Sequence, residues 1–384
     1  MCRKSYAIMP YFFVVRNVNM SNSPEQPRFD SISHFLESGG FDYRVFDMGR
    51  KVTLFTHDAF KSIESQQQLY PYPFQKKASL ALLFWSKKKS NEKNTNKEAV
   101  IWFLQFPVDE MGYLQLESRD GFLLSLLEQA GKNIESKLKG AIGTDEMSES
   151  PFAFKPAEDR LAMFHAFATC ELGQQPSHYY QATREYLKGN LGYEQWQFLG
   201  LQGIADVVAR LGEDDNESLL NNALPELPEV PLESFCLMLE NAQPNEALAH
   251  SLIGLIKKQL NSDEPSISIG AALLRGVSGA KVSAERKSLL LSFLDPVKSN
   301  KLAKEIEVLV SISGRCWLDL EDNEVLKVFL GSLALQEQVA FNAVLSDLMM
   351  LPNMKKKVLA LVRGFASSEV LDEKMTVFMH SYKS

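Results

Sequence analysis

From Phe152 to the C-terminus the sequence carries helical periodicity with no strand pattern, and this succession limits the fold more than any other feature. Its clearest member is 193–211, YEQWQFLGLQGIADVVARL. On a helix, Trp196, Leu199, Gly203, Val207 and Leu211 fall on one stripe, widened by Phe198, Leu201, Ile204, Ala205 and Val208. The pattern predicts one long helix buried over much of its surface. Gly200 and Gly203 would each cost about 1 kcal/mol relative to alanine inside it, which close approach of a neighbouring helix would offset. Gly212 is placed as a C-cap, and Asp215 or Asn216 as the next N-cap.

Further helices are predicted over 156–172, 177–188, 216–224, 231–241, 245–260, 266–277, 283–294, 299–311, 323–335, 337–349, 353–363 and 370–382. Pro225 and Pro228 stop one of them, and Asn245, Ser283 and Asn323 start others. Taken in pairs they recur at about 30 to 36 residues, the size of a helical-hairpin repeat of the HEAT or armadillo kind. No fixed motif aligns between pairs, so an α-solenoid is an inference from periodicity. Such stacks present a long groove, which makes binding the expected function of this half.

The preceding residues have another character. ISHFLES ahead of Gly39-Gly40 predicts a short amphipathic helix with a glycine stop. FDYRVFDMGRKVTLF alternates on both sides of Met48-Gly49-Arg50 and predicts a β-hairpin, followed by a helix to about Gln68 capped by Thr56 or Asp58. LYPYPFQ is a rigid aromatic-proline loop, either a connector packing Tyr70 and Tyr72 on the sheet or an aromatic platform for a partner. ASLALLFW and AVIWFLQF read as apolar strands that must be covered on both faces. The lysine- and asparagine-rich 87–97 between them predicts a solvated loop, and 117–138 a helix. The fold expected is therefore α+β with one antiparallel sheet of about four strands over 29–140, a linker over 141–151, and an all-α helical-repeat domain over 152–384.

Residues 1–28 are set aside. YAIMPYFFVV after Arg3 and Lys4 is a poor match to a signal peptide, being short, interrupted by Pro10 and lacking a cleavage site; Met20 is the favoured start over Met1, and SNSPEQP reads as disordered. No apolar run is long enough to cross a membrane. A formal net charge of −7 over 384 residues argues against nucleic acid or an anionic membrane as the main partner. Cys2, Cys170, Cys236 and Cys316 are scattered and read as reduced thiols, which suits the cytoplasm.

Catalytic and metal motifs are lacking. His34, His57, His165, His178, His250 and His380 show no metal-ligand spacing, and no P-loop, dinucleotide fingerprint or nucleophile elbow occurs, so no catalytic residue, metal or cofactor is expected. The acidic runs at 213–215 and 319–322 read as solvated caps between helices. Two polar-aromatic clusters are candidate partner-binding sites: Trp196, Gln202 and Asp206, and Arg315 with Trp317. The bland alternative has the tryptophans packing between helices and Arg315 pairing with Asp319 or a neighbouring helix end.

FDYRVFDMGRKV, YPYPFQ, AVIWFLQFPVDEMGYL, EQWQFLGLQGIADVVARL and GRCWLDLED together resemble an uncharacterised gammaproteobacterial family, domain of unknown function family 3549, from about Phe29 to the C-terminus. The resemblance implies a bacterial cytoplasmic protein and carries over no activity. The leading expectation is a non-enzymatic scaffold binding a protein or peptide. The alternatives are a hydrolase or transferase with its site at the junction of the two halves, or a small-ligand sensor in the first half near Tyr70, Tyr72 and Trp102.

Overall fold

A computed structural model describes residues 29–87, 99–130, 150–190, 192–295, 301–364 and 368–381. The expected solvated loop and most of the linker fall outside them. The chain is predominantly helical, with one four-stranded antiparallel sheet in its N-terminal part.

The first third follows its sequence pattern closely. Helix α1, Ile32–Ser38, is capped by the Ser31 hydroxyl and ends at Gly39, with Gly40 at φ 74°. Strand β1, Phe41–Asp47, and β2, Thr53–Leu54, form the hairpin. Helix α2, His57–Glu64, takes its cap from Thr56 and ends before the predicted Gln68 because Gln66 adopts φ 55°. Its last residue, Glu64, is buried and accepts the Ile32 and Ser33 amides at 2.7 and 3.1 Å, so α2 satisfies the first turn of α1. Strands β3, Lys77–Ser86, and β4, Ala99–Pro107, complete the order β2-β1-β3-β4, and α3 spans Leu116–Ala130.

Both faces of the sheet are covered, as two continuous apolar strands require. Tyr43, Val45, Leu80, Leu82, Phe84, Trp102, Leu104 and Phe106 face one core with α1, α2 and α3. Phe46, Ala81, Leu83 and Trp85 turn the other way and merge with the core of the helical half. Contact passes through Phe164 of α4, Glu158–Leu172, whose ring meets Phe46 and Phe103 edge-on at 5.3 Å each.

The helices that follow are α5 Tyr179–Leu187, α6 Leu201–Ala209, α7 Asn216–Ala223, α8 Glu229–Leu239, α9 Glu246–Leu260, α10 Ile267–Val277, α11 Ala284–Phe293, α12 Ile306–Arg315, α13 Asn323–Ala334, α14 Gln338–Met349, α15 Met354–Gly364 and α16 Glu369–Ser381. Even-numbered helices from α4 to α14 pack on one another in succession, and odd-numbered ones from α5 to α15 do likewise, giving two layers.

Two predicted spans are corrected. The helix expected over 193–211 exists only as α6: Gly200 is extended at φ −92°, ψ 145°, and the residues before it form turns. Tyr193, Trp196 and Leu199 still pack on the core, but from a loop whose bends are set by Gly189 and Gly192 at φ 70° and 77°. Gly203 does sit at a close helix approach, since a Cβ there would lie 2.4 Å from Thr183 Oγ1 of α5. The helix expected over 299–311 begins instead at Ile306, because Glu305 is extended and Leu302–Lys304 form a 3₁₀ turn that buries Leu302.

Candidate functional site

The loop from Met48 to Val52 joins β1 to β2, and it projects from the sheet onto the C-terminal ends of α8, α10, α12 and α14. Residues at these ends receive it. Val52 N donates to Asn241 Oδ1 at 2.8 Å just past α8, Lys51 Nζ donates to the Ser278 carbonyl at 2.9 Å at the end of α10, and Arg50 Nη2 donates to the Asp347 carbonyl and Oδ2 at 3.0 and 2.7 Å in the last turn of α14. Helix C-termini hold unpaired carbonyls and the negative end of the helix dipole, so a turn reading Arg-Lys suits them. Arg160 of α4 closes the loop from behind, donating to the Met48 and Arg50 carbonyls.

The base of the loop is held by Asp47. Its Oδ2 accepts the Gly49 and Arg50 amides at 3.2 Å, and Oδ1 accepts the Tyr70 hydroxyl at 2.5 Å. Burial pushes its pKa up to about 6, against those hydrogen bonds and Arg160. Burial likewise pushes the Lys51 ammonium down to about 8. Lys51 lies 5.0 Å from the centre of the Trp317 ring, with Arg50 5.8 Å from it and Tyr72 against it.

Beneath the loop, one buried carboxylate draws three arginines. Glu240, 1% exposed, meets Arg275 Nε at 2.6 Å and Nη2 at 3.1 Å, Arg315 Nε at 2.9 Å and Arg160 Nη2 at 3.9 Å. Burial pushes its pKa up, but Arg315, Arg275 and Arg160 outweigh that and hold it below the usual carboxylate value. Arg315 is the poorly aligned member: its Nε is close to Glu240 but makes no hydrogen bond. Arg315 thus pairs with a neighbouring helix end, as the second form of the expectation had it, and not with Asp319, which binds the buried Arg286 through two bonds of 2.7 Å, so that part of the acidic run is not a solvated cap. Asp322, at the end of the same run, does cap α13.

Two hollows flank the loop. A cleft of about 640 Å³ lies between β2 and the ends of α8, α10 and α12, with Tyr72, Phe167 and Trp317 in its lining beside Lys51 and Glu240. Leu54, Val282 and Leu318, 40, 53 and 46% exposed, also line it. A smaller pocket of about 220 Å³ lies on the other side, lined by Phe74, Gln75, Arg275, Ser311, Arg315 and Asp347 among others.

Of the residues singled out from the sequence, Arg315, Trp317, Tyr70 and Tyr72 are brought together at this junction. Trp196, Gln202 and Asp206 are not. Asp206 is fully buried and accepts the Ser177 amide at 2.9 Å, Gln202 reaches the Ala162 carbonyl at 3.3 Å, and Trp196 packs on the core. Trp102 is enclosed edge-on by Phe84 and Phe122. Arg50, Lys51, Arg160, Glu240, Arg275 and Asp347 were not singled out in the sequence. The signal that could have marked four of the junction residues is positional: Glu240, Ser278, Arg315 and Asp347 each lie at the C-terminal end of a helix of the same layer, one helix pair apart.

Among the described residues no group of three or more His, Cys, Asp or Glu could hold a metal ion, and no helix is long and apolar enough to cross a membrane. Among curated proteins and solved structures none matches the chain. The profile of the family described as protein of unknown function DUF3549 matches residues 27–378, and the chain belongs to that family.

Proposed function

We propose that the protein is a non-enzymatic binding protein that receives an extended peptide segment of a partner protein in the cleft between β2 and the helical half. The observation that carries this reading is the convergence of Leu54, Val282 and Leu318, three exposed apolar side chains from separate segments, on a cleft lined by Trp317 and Tyr72. β2 is the edge strand of the sheet, so a partner strand can add to it. Glu171 and Glu240 in the lining are paired with Arg44 and with the arginines, whereas Lys51 and Lys281 add positive charge, so the segment expected carries a carboxylate among apolar side chains.

In this reading the two helical layers are an α-solenoid of the HEAT kind, supported by the alternate packing of successive helices. The stretch of its groove at the ends of α8 to α14 is filled by the protein's own hairpin, so the cleft beside that hairpin takes the place of a long open groove. The buried free thiols of Cys236 and Cys316 suit the cytoplasm.

The test is affinity capture from native lysate at moderate salt, with wild type beside a Leu54→Glu, Val282→Glu, Leu318→Glu variant. All three positions are exposed, so folding is retained. A partner held stoichiometrically by wild type and by a Val339→Glu control, but lost by the triple variant, supports the cleft. Equal capture by the triple variant would rule it out.

A further inference from the structure

We infer that the pocket on the far side of the inserted loop, lined by Arg275, Arg315, Ser311 and Gln75, is a binding site for a doubly charged oxyanion of the phosphate-monoester type. This site is distinct from the peptide cleft, and the argument for it is independent. It begins with a charge count at the junction. Arg50, Lys51, Arg160, Arg275 and Arg315 meet there, and the carboxylates touching them or their loop are Asp47, Glu240 and Asp347. Asp159 of α4 adds a fourth carboxylate whose charge acts on Arg160 and Arg275, so five cations against four anions leave one surplus positive charge in a largely buried setting, where uncompensated charge is costly. The carbonyls that the helix ends supply are already taken up: Ser278 by Lys51 and Asp347 by Arg50.

The surplus is directed at the pocket. Arg275 and Arg315 share Glu240 Oε1 on one side and line the hollow on the other. Arg315 Nε is buried without a hydrogen bond, although Glu240 is 2.9 Å away, so this guanidinium is under-used by the protein. Its remaining donor bond is to the Gly314 carbonyl at 3.1 Å. Ser311 is buried in the pocket wall. Two guanidinium groups with a hydroxyl beside them form a set of fixed donors that suits a tetrahedral oxyanion. Asp347 also lines the pocket, but it is bound by Arg50 and the Gln75 amide and does not turn its charge to the arginines. The hollow of about 220 Å³ has room for the phosphate group with a small carrier.

The experiment is calorimetric titration and thermal melting of the full chain with inorganic phosphate, glycerol phosphate and succinate, each at constant ionic strength. Phosphate and glycerol phosphate are expected to bind saturably at one site and to raise the melting midpoint, and succinate is expected to do neither. Tighter binding of glycerol phosphate than of inorganic phosphate identifies a phosphorylated small molecule, and the reverse identifies the free ion; both support the site. Arg315→Gln is expected to weaken binding about tenfold or more. Ser311→Asp keeps both arginines and supplies a carboxylate within the pocket, so it is expected to abolish phosphate binding without lowering the melting midpoint. Saturable binding of succinate but not phosphate, no saturable binding of any of the three to wild type, or unchanged phosphate binding by Ser311→Asp would each overturn the assignment. Loss of phosphate binding in Ser311→Asp with peptide capture intact separates this site from the cleft.

Discussion

Arg50 and Asp347 are 297 residues apart in the chain and meet through a 2.7 Å bond between Nη2 and Oδ2. This pair fastens the turn of the first hairpin to the end of α14, so the sheet and the far helices fold against each other. Arg50 has no exposed side-chain surface, while Asp347 keeps 21% of its own. Arg50 Nε is satisfied by the Pro73 carbonyl, but Nη1 has no partner. Asp347→Ala therefore strands a buried guanidinium, and denaturant unfolding is expected to show a loss of about 3 kcal/mol. Arg50→Met, which removes the charge along with its pairing, is expected to cost less. A larger loss in Arg50→Met than in Asp347→Ala would show that the arginine's contacts with Phe74 and Trp317, and not charge pairing, hold the turn.

Arg286 and Asp319 form the most enclosed pair in the helical half, 2% and 1% exposed. Arg286 also donates through Nη1 to the carbonyl of Val277, the last residue of α10, and to that of Ala280 just past it, so one side chain ties the end of α10 to Asp319. Arg286→Met leaves Asp319 buried and unpaired, at an expected cost of roughly 3–5 kcal/mol by urea unfolding. Arg286→Met with Asp319→Leu removes the stranded charge and is expected to recover part of that loss. Additive losses in the double variant would mean the two groups do not act as a pair.

The periodic signals in the sequence are those that a face or a cap produces locally. The alternation in β1, the apolar runs of β3 and β4, the Thr56 cap and the glycine stop at Gly39 all depend on residues a few positions apart, and each became the element it indicated. The helix over 193–200 failed for the opposite reason. Tyr193, Trp196 and Leu199 have helical spacing, yet a loop bent at Gly189 and Gly192 packs them on the core as well, with Tyr186 donating to the Tyr193 carbonyl at 2.8 Å. Burial alone does not choose a backbone conformation. The junction was least legible, because its partners come from distant segments: Glu240 meets Arg315 and Arg160, and MGRK reads as a glycine turn until the helix ends that receive it are in place. Arg315 and Trp317 could be picked out as residue types suited to an interface, and they do lie at one, but between parts of the same chain.

Helix glycines divide by what lies beside them. At Gly203 an added methyl would meet Thr183 Oγ1 at 2.4 Å and the Tyr179 carbonyl oxygen at 2.9 Å, so α5 must move to admit it. Gly331, inside α13, has nothing within 4 Å of that position. Gly203→Ala is expected to destabilise by about 1–3 kcal/mol through overpacking, whereas Gly331→Ala is expected to stabilise by about 0.5–1 kcal/mol through helix propensity. Thermal melts of the two single variants test the contrast. A stabilised Gly203→Ala would mean that α5 and α6 are not in close contact.

The pH dependence of folding should carry the mark of Asp47. Burial raises its pKa to about 6 in the folded protein from the ordinary 3.8, so the folded state holds this proton more tightly than the unfolded state does. The contribution is therefore fully present below the unfolded value near 4 and is lost as pH rises through about 6. A difference of about two pKa units corresponds to roughly 3 kcal/mol. Asp47→Asn removes the titration and keeps a side-chain oxygen for the Gly49 and Arg50 amides, while Tyr70 can turn its hydroxyl to accept from the new amide. Unfolding free energies of wild type and Asp47→Asn, measured by urea between pH 4 and 7.5, are expected to diverge from pH 4 to about 6 and then to level off, with the variant gaining relative to wild type as pH rises. A constant difference over that range would show that Asp47 titrates normally and that the hydrogen bonds at the base of the turn outweigh its burial.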